Sequence, residues 1–221
     1  MKGMIAPSMM CASIANVKEE LMIFEKENIE YLHIDVMDGV FVPNFMLCDG
    51  ISKQYRQFCH IPFDYHLMIV EPFEKIDWFD IRQGDLMSIH LESCKNIKEC
   101  LQKIRNKGAK AGLAIKPITE VKNIKPYLSD IDFVLVMCVN PGFAGQKLVS
   151  GTIEKIKEVR DLLDENNHPE IFIEVDGNVS FENAKKMRKN GADLFVAGSS
   201  SVFKKELSIE ENIHELREAI E

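Results

Sequence analysis

Phe133-Val134-Leu135-Val136-Met137 is apolar at every position and runs through Cys138-Val139-Asn140 into the turn pair Pro141-Gly142. A strand with one wet face alternates apolar and polar residues. A strand apolar throughout is covered on both faces, as the strands of a parallel sheet are. Runs of this kind recur at 4–7, 31–35, 63–68, 86–90, 111–115, 171–176 and 194–197, so with 133–137 the sequence predicts eight strands. Amphipathic stretches lie between them. Val17, Leu21 and Phe24 share one helical stripe, as do Ile153, Ile156, Val159 and Leu163, and Ile213, Leu216 and Ile220. Ser208 and Glu211 have the spacing of a capping box. Gly108 and Gly191 stand where a helix would end before the next strand.

Eight strand-helix units over 221 residues come to about 28 residues each, a lean version of the roughly 250-residue (β/α)8 barrel. No linker-like segment interrupts the series, so residues 1–221 read as a single (β/α)8 domain, a TIM barrel of the phosphate-binding type. An open doubly wound sheet is the alternative. It would ordinarily carry a glycine-rich dinucleotide loop after the first strand, where this chain has Pro7-Ser8-Met9-Met10.

Composition narrows the function classes. Hydrophobic residues at 46% and charged residues at 28% predict a folded, soluble chain. The formal charge of −8 argues against nucleic acid or an anionic membrane as partner, while leaving room for a local anion pocket. No apolar run approaches the roughly 20 residues of a membrane span. The amino-terminal residues have no signal-peptide pattern, and the expected location is the cytoplasm. The six cysteines, at 11, 48, 59, 94, 100 and 138, form no Cys-x-x-Cys pair and read as reduced thiols. Eleven methionines are an excess that composition alone leaves unexplained.

In a parallel barrel the carboxyl ends of the strands surround the active site. Here those ends carry Ser8, His33, Asp35, His66, His90, Glu92, Lys116 and Asp176. His33 and Asp35 are two residues apart and so share a strand face. Together with His66 and Asp176 they form a donor set for a divalent cation with positions left open for substrate oxygens. Each of the four could instead be a separately hydrogen-bonded strand end. Convergence favours the metal reading, since two carboxylates buried near each other need compensation. Pro141-Gly142-Phe143-Ala144-Gly145-Gln146, Asp176-Gly177-Asn178 and Gly198-Ser199-Ser200-Ser201 follow the last three strands, where main-chain amides hold phosphate in this architecture. Met37, Met68 and Met137 also fall at strand ends and read as a polarizable lining. His90 and Glu92 admit two readings, as partners that orient a ligand or as plain strand-end polar residues. His60, His168 and His214 fall in loops or helices and read as solvated.

Ile5-Ala6-Pro7-Ser8, His33-Ile34-Asp35-Val36-Met37-Asp38-Gly39 with Phe41-Val42-Pro43-Asn44, His66-Leu67-Met68, Asn140-Pro141-Gly142-Phe143, Glu174-Val175-Asp176-Gly177 and Val196-Ala197-Gly198-Ser199 closely resemble the ribulose-phosphate 3-epimerase family. The resemblance runs from Ile5 to Phe203. It implies a (β/α)8 barrel that inverts carbon 3 of a small phosphorylated ketose, with one divalent ion (zinc, iron, manganese, cobalt or magnesium) as cofactor. By the same resemblance His33, Asp35, His66 and Asp176 ligate the metal, and Asp35 and Asp176 are the catalytic acid/base pair. Ser8 and His66 contact the sugar. Gly142, Phe143, Ala144, Gly145, Gly177, Asn178, Gly198 and Ser199 hold the phosphate, with Asp176 also against substrate and Met37, Met68 and Met137 lining the site.

Such chemistry accounts for the inventory. Loss of the carbon-3 proton beside a ketone leaves a planar enediolate, and inversion needs one carboxylate to take the proton and another to return one to the opposite face. Met9-Met10-Cys11, Ala144, Lys116 and Asn178 depart from the usual pattern of the family. Met-Cys after the first strand and Phe-Ala-Gly-Gln in the sixth loop point the resemblance toward D-allulose 6-phosphate, converted to D-fructose 6-phosphate. D-ribulose 5-phosphate, converted to D-xylulose 5-phosphate, is the alternative. Two further readings are a decarboxylase or aldolase using Lys116 and a non-catalytic phosphosugar-binding barrel. Assembly into a homo-oligomer is left open.

Overall fold

The computed structural model describes residues 2–221. Its strands are β1 (Met4–Pro7), β2 (Leu32–Asp38), β3 (Phe45–Met46), β4 (Phe63–Met68), β5 (Leu86–His90), β6 (Lys110–Ile115), β7 (Phe133–Met137), β8 (Phe172–Asp176) and β9 (Leu194–Ala197). The α-helices are α1 (Val17–Lys26), α2 (Asp49–Tyr55), α3 (Pro72–Lys75), α4 (Ile97–Asn106), α5 (Thr152–Glu165), α6 (Phe181–Lys189) and α7 (Ile209–Ile220). The sheet order is β1-β9-β8-β7-β6-β5-β4-β2-β3. All neighbours are parallel except the β2–β3 pair. A parallel bridge between Ser8 and His33 joins the end of β1 to β2. The eight parallel strands therefore run full circle as a (β/α)8 barrel, and the open doubly wound sheet is excluded.

The period of two along each strand sorts side chains into two cores. From β7, Phe133, Leu135 and Met137 point into the barrel with Ala6, Leu86, Ala114, Phe172 and Leu194. Val134 and Val136 point outward against the helices, among Ile156, Val159, Leu163 and Ile104. Full burial of such a side chain stabilises by roughly 1.5–3 kcal/mol. This double cover explains why the runs are apolar throughout. Inside, the Phe133 and Phe172 rings stack at 5.0 Å, and Phe133 occupies space that any Cβ on Gly112 would enter at 2.2 Å.

Local signals act as the spacing predicts. Ser208 Oγ accepts from the Glu211 amide and the Glu211 carboxylate accepts from the Ser208 amide at the start of α7. Gly108 and Gly191 follow the ends of α4 and α6 with φ of +96° and +103°. Other boundaries differ from the sequence reading. β2 runs on to Asp38 because Met37 and Asp38 pair with Met46 and Phe45 of β3. Residues Val121–Asp130 form a 3-10 helix with Pro126 inside it, a residue that lacks the donor an α-helix needs there. No helix among the described residues is long and apolar enough to cross a membrane.

Candidate active site at the barrel mouth

β2 sends His33, Asp35 and Met37 inward, β4 sends His66 and Met68, and β8 ends with Asp176. The register pairs Asp35 with His66 and Met137 with Asp176. One donor atom from each of His33, Asp35, His66 and Asp176 lies within 4.8 Å of the others. His33 Nε2 and His66 Nδ1 each stand 3.4 Å from Asp35 Oδ1, and His66 Nδ1 is 3.7 Å from Asp176 Oδ2. Both nitrogens are buried with no hydrogen-bond partner. Buried polar atoms left this way are costly unless something else satisfies them. Two such nitrogens facing two carboxylates fit a divalent cation. Ser8 Oγ donates to Asp35 Oδ2 at 2.7 Å, fixing the carboxylate from the β1 side.

The two carboxylates differ in ionisation. Burial would raise the Asp35 carboxyl, but His33 and then His66 hold it far below the usual carboxylate range. Asp176 goes the other way, pushed up to about 6 by burial and by the charge on Asp35. Burial opposes a charge on His33, yet Asp35 and Asp64 raise its pKa well above that of a free imidazole. The site therefore pairs a carboxylate held firmly ionised with one that keeps its proton more readily.

Beneath the cluster lies a further buried set. His33 Nδ1 is 2.5 Å from Asp64 Oδ2 and 3.3 Å from Glu174 Oε1, and all three side chains are sealed from solvent. Burial, then Asp64, drives the Glu174 carboxyl well above its ordinary value, so Glu174 is the protonated member and Asp64 the anion that steers His33. Sequence reasoning passed over both. A signal existed: Asp64 and Glu174 precede His66 and Asp176 by two residues and so share their inward face. On the other side, His66 Nε2 meets His90 Nε2 at 2.8 Å and His90 Nδ1 meets Glu92 Oε2 at 3.2 Å. Burial takes the His90 pKa down to about 4. Glu92 sits at about 2 in spite of burial, held there by His90, Thr119 and the Lys116 amide.

Above the cluster a cleft of about 530 Å³, counted to its open mouth, is lined by Ser8, Asp35, Asp176 and the three methionines Met37, Met68 and Met137. Its other wall is largely main chain, from Gly142-Phe143-Ala144-Gly145, Gly177-Asn178 and Gly198-Ser199. His33 and His66 lie below this surface, fully buried and absent from the cleft lining, with His66 Nδ1 turned to Asp35 and Asp176 of that lining. Gly177 has φ +115°, and a Cβ there would stand 2.7 Å from the Val139 amide. Asn178 Nδ2 donates to Gln146 O at 2.7 Å, and Gln146 Nε2 donates to Asn140 O at 2.6 Å and Phe143 O at 2.8 Å. Asn44 Nδ2 ties the β2–β3 turn to the same loop through Gly142 O.

Cys11 also lines the cleft, its thiol pushed up to about 11 chiefly by burial. Lys116 does not line it; its Nζ rests 3.9 Å from the centroid of the Phe41 ring. Asp38 is a turn-former, accepting from the Val40, Phe41 and Val70 amides. His60 is exposed, His168 pairs with Glu170, and His214 pairs with Glu27 on the surface.

The sequence profile of the "Ribulose-phosphate 3 epimerase family" matches residues 4–203. A Bacillus subtilis protein named ribulose-phosphate 3-epimerase is 41% identical over 196 residues, covering 89% of this chain and 90% of its own length. The chloroplastic ribulose-5-phosphate-3-epimerase of Arabidopsis thaliana is 37% identical over 199 residues, 89% of this chain and 70% of the relative. Among solved structures, KGPDC from Streptococcus mutans superposes with a TM-score of 0.71 at 10% identity, over 100% of this chain and 98% of the other. 3-Hexulose-6-phosphate synthase from Salmonella typhimurium gives 0.64 at 12% identity, over 100% and 98%. At such identities the structural likeness bears on the fold alone.

Proposed function

Since the chain belongs to the ribulose-phosphate 3-epimerase family, an isomerase family of carbohydrate phosphates, we propose that it interconverts D-ribulose 5-phosphate and D-xylulose 5-phosphate, acting as one barrel domain in the cytoplasm. The observation that carries the reading is the convergence of two carboxylates, Asp35 and Asp176, with His33 and His66 in one cluster of donor atoms at the floor of the cleft. The Bacillus subtilis and Arabidopsis thaliana relatives bear the pentulose name, which favours this substrate over the D-allulose 6-phosphate reading drawn from Cys11 and Ala144.

In the proposed mechanism Asp35, steadied by Ser8, removes the carbon-3 proton of a bound ketose phosphate. Asp176 then delivers a proton to the opposite face of the planar enediolate, and the roles exchange in the reverse direction. The enclosed floor and the methionines Met37, Met68 and Met137 keep water from competing for the carbanion. The wall of Gly142–Gly145, Gly177–Asn178 and Gly198–Ser199 takes the phosphate on main-chain amides. His33, Asp35, His66 and Asp176 would hold a divalent cation, which when bound supplies Lewis-acid stabilisation of developing negative charge.

The test is isotope incorporation. Metal-supplemented protein in D2O should convert ribulose 5-phosphate to xylulose 5-phosphate with one deuterium at carbon 3. Binding of the sugar phosphate with neither conversion nor exchange would reduce the barrel to a binding protein. Faster turnover of allulose 6-phosphate by the same sample would restore the hexulose reading.

A further inference from the structure

His66 is sealed from solvent, and its ring has two neighbours that demand opposite things of its two nitrogens. Nδ1 faces Asp35 and Asp176 without a hydrogen-bond partner, while Nε2 is 2.8 Å from His90 Nε2. Two ring nitrogens at that separation share one hydrogen, and the ring that owns it is decided further along the chain of contacts. His90 Nδ1 is 3.2 Å from Glu92 Oε2. An ionised carboxylate has no hydrogen to give, so His90 donates from Nδ1 and presents a lone pair at Nε2. The shared hydrogen then belongs to His66 Nε2, which leaves the ring's lone pair at Nδ1, aimed at the carboxylates.

We propose that His90 and Glu92 are positioning residues: Glu92 sets the tautomer of His90, and His90 sets the tautomer and ring plane of His66 so that Nδ1 is its metal-donor atom. This rests on reading the His33, Asp35, His66 and Asp176 cluster as a cation site.

The surroundings lock the relay in place. The His90 ring packs against His66 at 5.0 Å and under Phe41 at 4.8 Å between centroids. The second oxygen of Glu92 accepts from the Lys116 amide at 3.0 Å and from the Thr119 hydroxyl. The 116–119 loop is in turn held by buried Lys155, whose Nζ donates to the carbonyls of Lys116, Pro117 and Thr119. The Lys116 amide and the Thr119 hydroxyl both donate to Glu92, which holds it as an acceptor beside His90. The arrangement contrasts with His33, where Asp64 meets Nδ1 directly and leaves Nε2 as the donor. Outer partners of this kind ordinarily change metal affinity by 10–100-fold when lost.

The experiment has two readouts besides turnover. Long-range 1H–15N correlation of the imidazoles in the metal-free protein at pH 8 should find the hydrogen on Nε2 of His66 and on Nδ1 of His90. Titration with Co2+ by calorimetry should then give a dissociation constant roughly 10–100-fold weaker for Glu92→Gln than for the unaltered protein. The side-chain amide that this substitution introduces must aim its NH2 at one of three donors, either reversing the relay or releasing the loop. A role for Glu92 confined to anchoring the 116–119 loop would lower the unfolding temperature of the variant and leave its His66 tautomer and Co2+ affinity unchanged. That result overturns the proposal, as does a wild-type His66 protonated on Nδ1 alone. If wild-type protein binds no Co2+ at the cluster, the cation reading falls and with it the donor role of His66 Nδ1.

Discussion

The two sides of the barrel mouth are made of different materials. On the side of β1, β2, β4 and β5 the polar atoms belong to buried side chains, each fixed by another buried side chain: Asp35 by Ser8, His33 by Asp64, His66 by His90. Along the loops that follow β7, β8 and β9, the cleft wall is glycine-rich, and two of the side chains there are turned to main-chain carbonyls: Gln146 braces its own loop and Asn178 ties the loop after β8 to it. Proton transfer and cation binding need donors oriented to within tenths of an ångström, which buried hydrogen bonds on strands supply. A phosphate, diffuse and fully charged, is met adequately by several main-chain dipoles. Asp176 sits at the seam, the last residue of β8 on one side of it and Gly177 on the other.

The contrast breaks most severely at that seam. Asp176→Asn keeps shape and removes the group proposed to carry the proton, so under the proposed mechanism turnover of ribulose 5-phosphate should fall by about 10³–10⁴-fold, the upper range for lost acid-base catalysis. Circular dichroism should be unchanged and KM should move by only a fewfold. Turnover near the wild-type rate would remove Asp176 from the mechanism.

Gly177→Ala probes the main-chain side one residue further on. A left-handed φ of +115° strains any Cβ, and this one would lie 2.7 Å from the Val139 amide and side chain. Together these should cost about 2–3 kcal/mol of stability. Displacement of the wall proposed to hold the phosphate should raise KM more than it lowers kcat. Denaturant unfolding and steady-state kinetics check both halves. An unaltered KM would mean that phosphate is held elsewhere.

The fold was legible because its strands are covered on both faces and its eight apolar runs alternate with amphipathic stretches. The four cluster residues were legible because strand parity is a local property: His33 and Asp35 share a face whatever the rest of the chain does. What stayed hidden depends on pairing between distant segments. His90 becomes a partner of His66 only through the β4–β5 register, which sets His66 beside Ser88, and Lys155 reaches the 116–119 loop from α5. The extension of β2 to Asp38 likewise awaits β3, which no local pattern announces. Asp64 and Glu174 are the instructive omission. Their parity was readable, but two acids deep inside a barrel make sense only once His33 is seen between Asp35 and Asp64.

Ser8→Ala tests the side-chain half more gently. The lost bond is made to an ionised carboxylate at 2.7 Å, a class worth about 1.5–3 kcal/mol. Water entering the open cleft should recover part of that, so kcat should fall by roughly tenfold, corresponding to about 1.4 kcal/mol. A much larger loss would mean that Ser8 contacts the reacting atoms as well as Asp35.

The smallest effect should come from Lys116, the strand-end lysine that a decarboxylase or aldolase reading would make catalytic. Its ammonium lies over the outer face of the Phe41 ring, 3.9 Å from the centroid, and the residue is absent from the cleft lining. What ties it to the site is its backbone amide, which donates to Glu92, and that bond survives any side-chain change. Lys116→Met therefore removes only a cation–π contact at a partly exposed position, worth about 1 kcal/mol, and its thioether can still cover Phe41. Turnover should stay within about twofold, with at most a slight drop in unfolding temperature. A loss of a hundredfold or more would show the ammonium entering the cleft when substrate binds, and would make the side-chain half of the mouth larger by one charged residue.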